Sequence, residues 1–150
     1  MKHTEKVAWF LDQVCKQLNY SPEIRDILLT AAYFHDLGKL KQIEQLVRLF
    51  GIKVGDRILD VGTGTGILLP FLKKYAGPSG DIIALDIAEK MLAKAAEKFG
   101  PEFTYLHGAM EEVNLDPNSF DLVVCFQVFP HFYHPLKAFK NVFRILKPRG

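Results

Sequence analysis

The residues whose types and spacing point most directly to chemistry are Asp60-Val61-Gly62-Thr63-Gly64-Thr65-Gly66 and, twenty positions beyond Gly66, Asp86. Glycines at this spacing let a backbone turn tightly and approach a ligand where a Cβ would clash. A helix opening near Gly66 would aim its free N–H groups at that ligand. A carboxylate at Asp86, closing a strand, can accept hydrogen bonds from both ribose hydroxyls of a nucleoside. Loop, flanking elements and acid together predict a nucleoside-binding βαβ unit, which the loop alone would not. A second candidate region is Phe126-Gln127-Val128-Phe129-Pro130-His131-Phe132-Tyr133-His134. Its imidazole at His131 could act as a base or orient a substrate, because free histidine titrates near neutrality. The alternative is a side chain that caps or fills an aromatic cluster, and His134 sits where a helix cap belongs.

These residues need a scaffold, and the rhythm of the chain supplies one. Arg57–Val61, Asp81–Asp86, Phe103–His107 and Leu122–Phe126 read as strands. The last is a continuous apolar run, as expected of a strand buried on both faces. Helical spacing falls between and after them, over Ile67–Lys74, over Lys90–Phe99 with Met91, Leu92, Ala95 and Phe99 on one face, and from Pro135 with Leu136, Phe139, Phe143 and Leu146 inward. Alternating βα units predict an α/β fold, a Rossmann-like parallel sheet with right-handed crossovers. Ahead of it lies a helical segment, residues 1–41. Val7, Phe10, Leu11, Val14 and Leu18 share one helical face, Ser21-Pro22-Glu23 restarts a helix, and Gly38 ends or bends it. The core proper is expected over 42–150, joined near Lys39–Gln45. It starts with a helix carrying Ile43, Leu46, Val47 and Phe50 and stopped by Gly51.

On geometry alone the loop admits either a dinucleotide or S-adenosylmethionine. The spacing is GxGxG, not the GxGxxG of the dinucleotide fingerprint. Asp60 at the loop mouth would repel a pyrophosphate but can help hold the ammonium group of a methionine moiety, directly or through water. Ile58-Leu59-Asp60-Val61-Gly62-Thr63-Gly64-Thr65-Gly66 resembles motif I of the class I S-adenosylmethionine-dependent methyltransferases. Ala84-Leu85-Asp86-Ile87-Ala88-Glu89-Lys90-Met91-Leu92, Ser119-Phe120-Asp121-Leu122-Val123-Val124-Cys125 and Arg144-Ile145-Leu146-Lys147-Pro148-Arg149-Gly150 are similar to the three motifs that follow in that family. The resemblance covers about Ile43 to Gly150. It implies S-adenosylmethionine as cofactor, with Asp60, Gly62, Thr63, Gly64, Gly66 and Asp86 around it. It also implies Ile87 and Met91 against the adenosine and Gln127 near the methionine end. Where the family has an acid for the adenine amino group, this chain has Ala109, so Met110, backbone groups or Glu111 are expected to serve. The resemblance implies methyl transfer; the lack of a basic patch favours a small-molecule acceptor, and His131, after the fourth strand, is the catalytic candidate. A cofactor-binding module without turnover is the alternative.

The N-terminal segment carries a conflicting signal. His3, followed after helical periodicity by Ala31-Ala32-Tyr33-Phe34-His35-Asp36-Leu37-Gly38-Lys39, resembles the first half of an HD-domain phosphohydrolase. In that family such residues bind a metal that activates water. The further Asp that the family needs on a later helix has no counterpart here, so no metal site is expected, and an HD-type metal-dependent phosphohydrolase stands as the second alternative to methyl transfer.

Composition narrows the remaining classes. The chain has 150 residues, 49% hydrophobic and 24% charged, with a net charge of +2. That is enough for one ordinary core, and no basic field points to nucleic acid. No apolar run approaches the length of a membrane span, and no signal peptide is visible. The two cysteines, Cys15 and Cys125, lack metal or disulfide spacing and fit a reducing cytoplasm, with Cys125 as a buried small hydrophobe. The family fold has seven strands and this chain supplies four. An open edge beside the fourth strand is therefore expected, and with it an excerpt of a longer protein, a homodimer covering that edge, or an engineered chain.

Overall fold

The computed structural model describes Lys16 and residues 40–148. Its centre is a four-stranded parallel sheet of β1 (Arg57–Val61), β2 (Asp81–Asp86), β3 (Thr104–His107) and β4 (Leu122–Val124), in the order β3-β2-β1-β4. Around it run α1 (Leu40–Arg48), α2 (Leu69–Ala76), α3 (Glu89–Phe99) and α4 (Pro135–Ile145), with short 3-10 turns at Gly100–Glu102 and Phe129–His131. This is the expected Rossmann-like α/β architecture. The strand order reverses between β1 and β4, so a crevice opens at their carboxyl ends, where ligands bind in open α/β sheets.

The two central strands are apolar at consecutive positions because both faces are covered. Ile58, Ile82 and Ala84 face one cluster with Ile43, Leu46 and Val47 of α1, Leu69 and Leu72 of α2, and Leu92 of α3. Leu59, Val61, Ile83 and Leu85 face a second with Ala138, Val142 and Ile145 of α4. The first helix of the core is thus part of the sheet's own hydrophobic layer. It begins at Leu40. Gly51, with φ +65°, adopts the left-handed conformation that a helix-ending glycine supplies.

Several boundaries differ from expectation. The helix after the glycine loop begins at Leu69 rather than near Gly66, because Pro70 takes a first-turn position and favours a start there. β4 ends at Val124, and Leu122 and Val123 are only half-buried, so it is not the doubly buried strand its apolar run predicts. Among the described residues β4 is an outer strand of the sheet, and on its far side lies the single parallel bridge Phe120–Leu146. The inward face of α4 is Ala138, Phe139, Val142 and Ile145, while Leu136 is exposed. Met91 likewise lies outside the buried face of α3, which is Leu92 and Ala95.

Candidate functional site

The loop following β1 is fastened to β2 before any ligand is considered. The Gly62 and Thr63 N–H groups both donate to the Leu85 carbonyl, at 2.7 and 3.1 Å. The Asp86 carboxylate, 8% exposed, accepts the Gly64 N–H on Oδ2 and the Ala88 N–H on Oδ1, each at 2.7 Å. One acid therefore fixes both the loop and the start of the chain leading into α3, and each of its oxygens keeps a further lone pair. Gly62, Gly64 and Gly66 have φ of +70°, +56° and +79°. A Cβ on Gly62 would lie 2.3 Å from Val128 Cγ2, and one on Gly66 2.8 Å from the Phe99 ring. Gly64 has open space instead, with nothing within 4 Å of such a Cβ, and that is where a ligand can approach the backbone.

Asp60 lies near the end of β1 and is 2% exposed. Its Oδ2 accepts the Thr63 hydroxyl at 2.7 Å. Burial pushes the Asp60 carboxyl up to about 7. The Thr63 hydrogen bond opposes that rise, and the Asp86 charge adds to it. None of the ion pairs among the described residues involves Asp60. Cys125 lies half-buried against the α4-side core, and burial, with the Asp60 charge adding, pushes its thiol up to about 12. It is a protonated, unreactive group.

Beside Asp86 the chain exposes apolar surface. Ile87 is 51% and Met91 43% exposed, as a wall for a flat apolar ring requires. The His107 ring, at the end of β3, is hydrogen-bonded through Nε2 to the Ile87 carbonyl at 3.0 Å and steadies that wall. Ala109 is half-exposed, and its carbonyl is occupied by the Glu112 and Val113 N–H groups. Met110 departs from expectation. Its side chain is 1% exposed inside the α4-side core, and its carbonyl accepts the Asn141 amide, so the side chain is a core residue. Glu111 is also turned away. It is buried, and its Oε1 accepts the His134 N–H at 3.2 Å, where a carboxylate suits the positive end of α4. His134 is the cap residue, without a side-chain capping bond.

Gln127 follows β4 with φ +58°, a left-handed conformation uncommon outside glycine. His131 is exposed in the 3-10 turn, and its N–H donates to the Val128 carbonyl. Val128, which seats this segment on Gly62, and His107 are two residues that the motifs do not reveal. A glycine signals that something lies close, but not which distant side chain it is. The HD-like residues His3, His35 and Asp36 lie outside the described residues. Among the described ones no cluster of three or more His, Cys, Asp or Glu could hold a metal. No described helix is long and apolar enough to cross a membrane.

The residues present fit S-adenosylmethionine. A buried carboxylate without a cationic partner among the described residues, an acid with spare acceptor capacity for a diol, an open glycine and an exposed apolar wall match its ammonium, ribose, backbone-facing and adenine portions.

Comparison with known proteins agrees. The family model described as methyltransferase domain matches residues 58–150, and that for protein-L-isoaspartate(D-aspartate) O-methyltransferase matches residues 6–102. A malonyl-[acyl-carrier protein] O-methyltransferase of Marinomonas sp. is 34% identical over 72% of this chain and 40% of its own length. A demethylmenaquinone methyltransferase of Lactococcus lactis is 33% identical over 77% and 46%. The chain thus spans less than half the length of these two relatives. A ubiquinone/menaquinone biosynthesis C-methyltransferase of Ectopseudomonas oleovorans is 28% identical over 99% of this chain and 95% of its own. The crystal structure of an S-adenosylmethionine-dependent methyltransferase from Aquifex aeolicus superposes with a TM-score of 0.67 at 30% identity, over 79% of this chain and 66% of that one. With the loop, its two acids and the strand order, these matches make the chain a member of the class I methyltransferase family, whose cofactor is S-adenosylmethionine.

Proposed function

We propose that the chain carries out methyl transfer to a small-molecule acceptor in the crevice between β1 and β4. The observation that carries this reading is the pair of acids on β1 and β2, joined through one glycine loop. In it, Asp86 holds the ribose diol, Asp60 the ammonium group, and Gly62, Thr63, Gly64 and Gly66 form the cradle. Ile87 and Met91 cover the adenosine, Ala109 borders it, and Gln127 approaches the methionine end. Bound S-adenosylmethionine supplies an electrophilic methyl group on a sulfonium. The chain's own task is alignment of the acceptor, which can supply most of the acceleration. His131 lies in the segment after β4 that borders the crevice, and an imidazole nitrogen there can take the proton that the acceptor's nucleophilic atom gives up. A small-molecule acceptor is supported by relatives named for demethylmenaquinone and for ubiquinone/menaquinone biosynthesis. The test is a panel of quinol, phenol, amine and carboxylate acceptors followed by release of S-adenosylhomocysteine. Turnover that falls on His131→Ala, with cofactor affinity unchanged, is the expected result. Cofactor binding without turnover across the panel would make the chain a binding module instead.

A further inference from the structure

Thr63 occupies an unusual place for a loop residue. It is 4% exposed between two left-handed glycines, and its N–H is tied to the Leu85 carbonyl of β2. With the backbone so fixed, its hydroxyl points back at Asp60, and the 2.7 Å contact lies within the range of hydroxyl–carboxylate bonds. The titratable groups that face Asp60 from the surrounding elements are Asp86 of β2 and Cys125 beyond β4. Neither is cationic, so among the described residues the Thr63 hydroxyl is the group that favours the ionised carboxylate against burial and the neighbouring acid.

We propose that Thr63 is a positioning residue that acts through Asp60, holding its carboxylate in one orientation and ionised for the ligand's ammonium group. This rests on the cofactor reading above, but it assigns Thr63 a role other than direct contact. A protonated Asp60 offers the ammonium no charge, so cofactor affinity follows the ionisation of this one carboxyl. The hydroxyl decides at what pH that ionisation occurs. A bond to a charged group of this kind corresponds to a displacement of about one to two pH units.

The test uses the full chain and two readouts. In the ligand-free protein, the Asp60 carboxyl is titrated by 13C NMR. Thr63→Ser is expected to keep the wild-type midpoint, and Thr63→Val to move it up by about one to two pH units. Calorimetric titration with S-adenosylmethionine between pH 5.5 and 9.5 should show the same displacement in its affinity profile. The effect of Thr63→Val should vanish in an Asp60→Asn background. If valine is not tolerated, Thr63→Ala carries the same comparison. An unmoved midpoint in Thr63→Val, or serine behaving as valine does, overturns the proposal. Failure of the cofactor reading is distinguishable, because the ligand-free titration still reports on Thr63 when no S-adenosylmethionine binds.

Discussion

Burying an acid with no cation beside it among the described residues stores instability that the pH should reveal. Asp60 ionises at about 7 in the fold, against 3.8 for the free side chain. Between those values the native state holds a proton that the unfolded state has released, so stability falls as pH rises and the loss is complete above pH 7. Raising an ionisation midpoint by one pH unit costs about 1.4 kcal/mol, so the total penalty is about 4 kcal/mol, of which about 2.5 kcal/mol accrues between pH 5 and pH 8. Asp60→Asn keeps the shape and removes the titration. Urea unfolding of both proteins at pH 5 and pH 8 measures the difference. The stability of Asp60→Asn relative to wild type is expected to improve by about 2.5 kcal/mol over that interval. Parallel behaviour of the two proteins would refute the argument. It would mean that Asp60 ionises normally and is already solvated or paired.

Gly62→Ala combines a positive φ with a 2.3 Å approach to Val128. It should cost about 2–4 kcal/mol by denaturant unfolding, and the double variant with Val128→Ala should lose less than the sum of the singles. Strict additivity would show that Val128 does not lie on the loop. Met110→Ala should lower stability by about 2–5 kcal/mol while leaving cofactor affinity within error, because the side chain is a core residue. A selective loss of affinity would instead restore its role at the adenine.

The central βαβ unit is legible in the sequence because its signals are local. Glycines that need positive φ, an apolar strand and an acid at fixed distance all lie within Ile58–Asp86, and β1, β2 and their loop stand where spacing puts them. What depends on a distant partner is not legible. Leu136 is apolar, yet it lies on a helix whose burial is decided by which side meets Leu59 and Ile83, so periodicity places Phe139 inward correctly but misplaces Leu136. Met110 and Ala109 are neighbours with opposite directions, and only the sheet determines which one faces the core. The Asp60–Thr63 bond spans three residues, but the glycine between them sets the turn that closes it.

The most direct test of the cofactor site is calorimetric titration of S-adenosylmethionine into wild-type protein and Asp86→Ala at pH 7, with folding of both verified by thermal melting. Asp86 fixes the loop and, in the proposed reading, holds the ribose, and losing hydrogen bonds to a charged acceptor should weaken binding by about 100-fold or more. Saturable binding by the wild type, reduced by that factor in the variant, is the expected result. No binding by the folded wild type, or undiminished binding by Asp86→Ala, would contradict the assignment of this loop as the S-adenosylmethionine site.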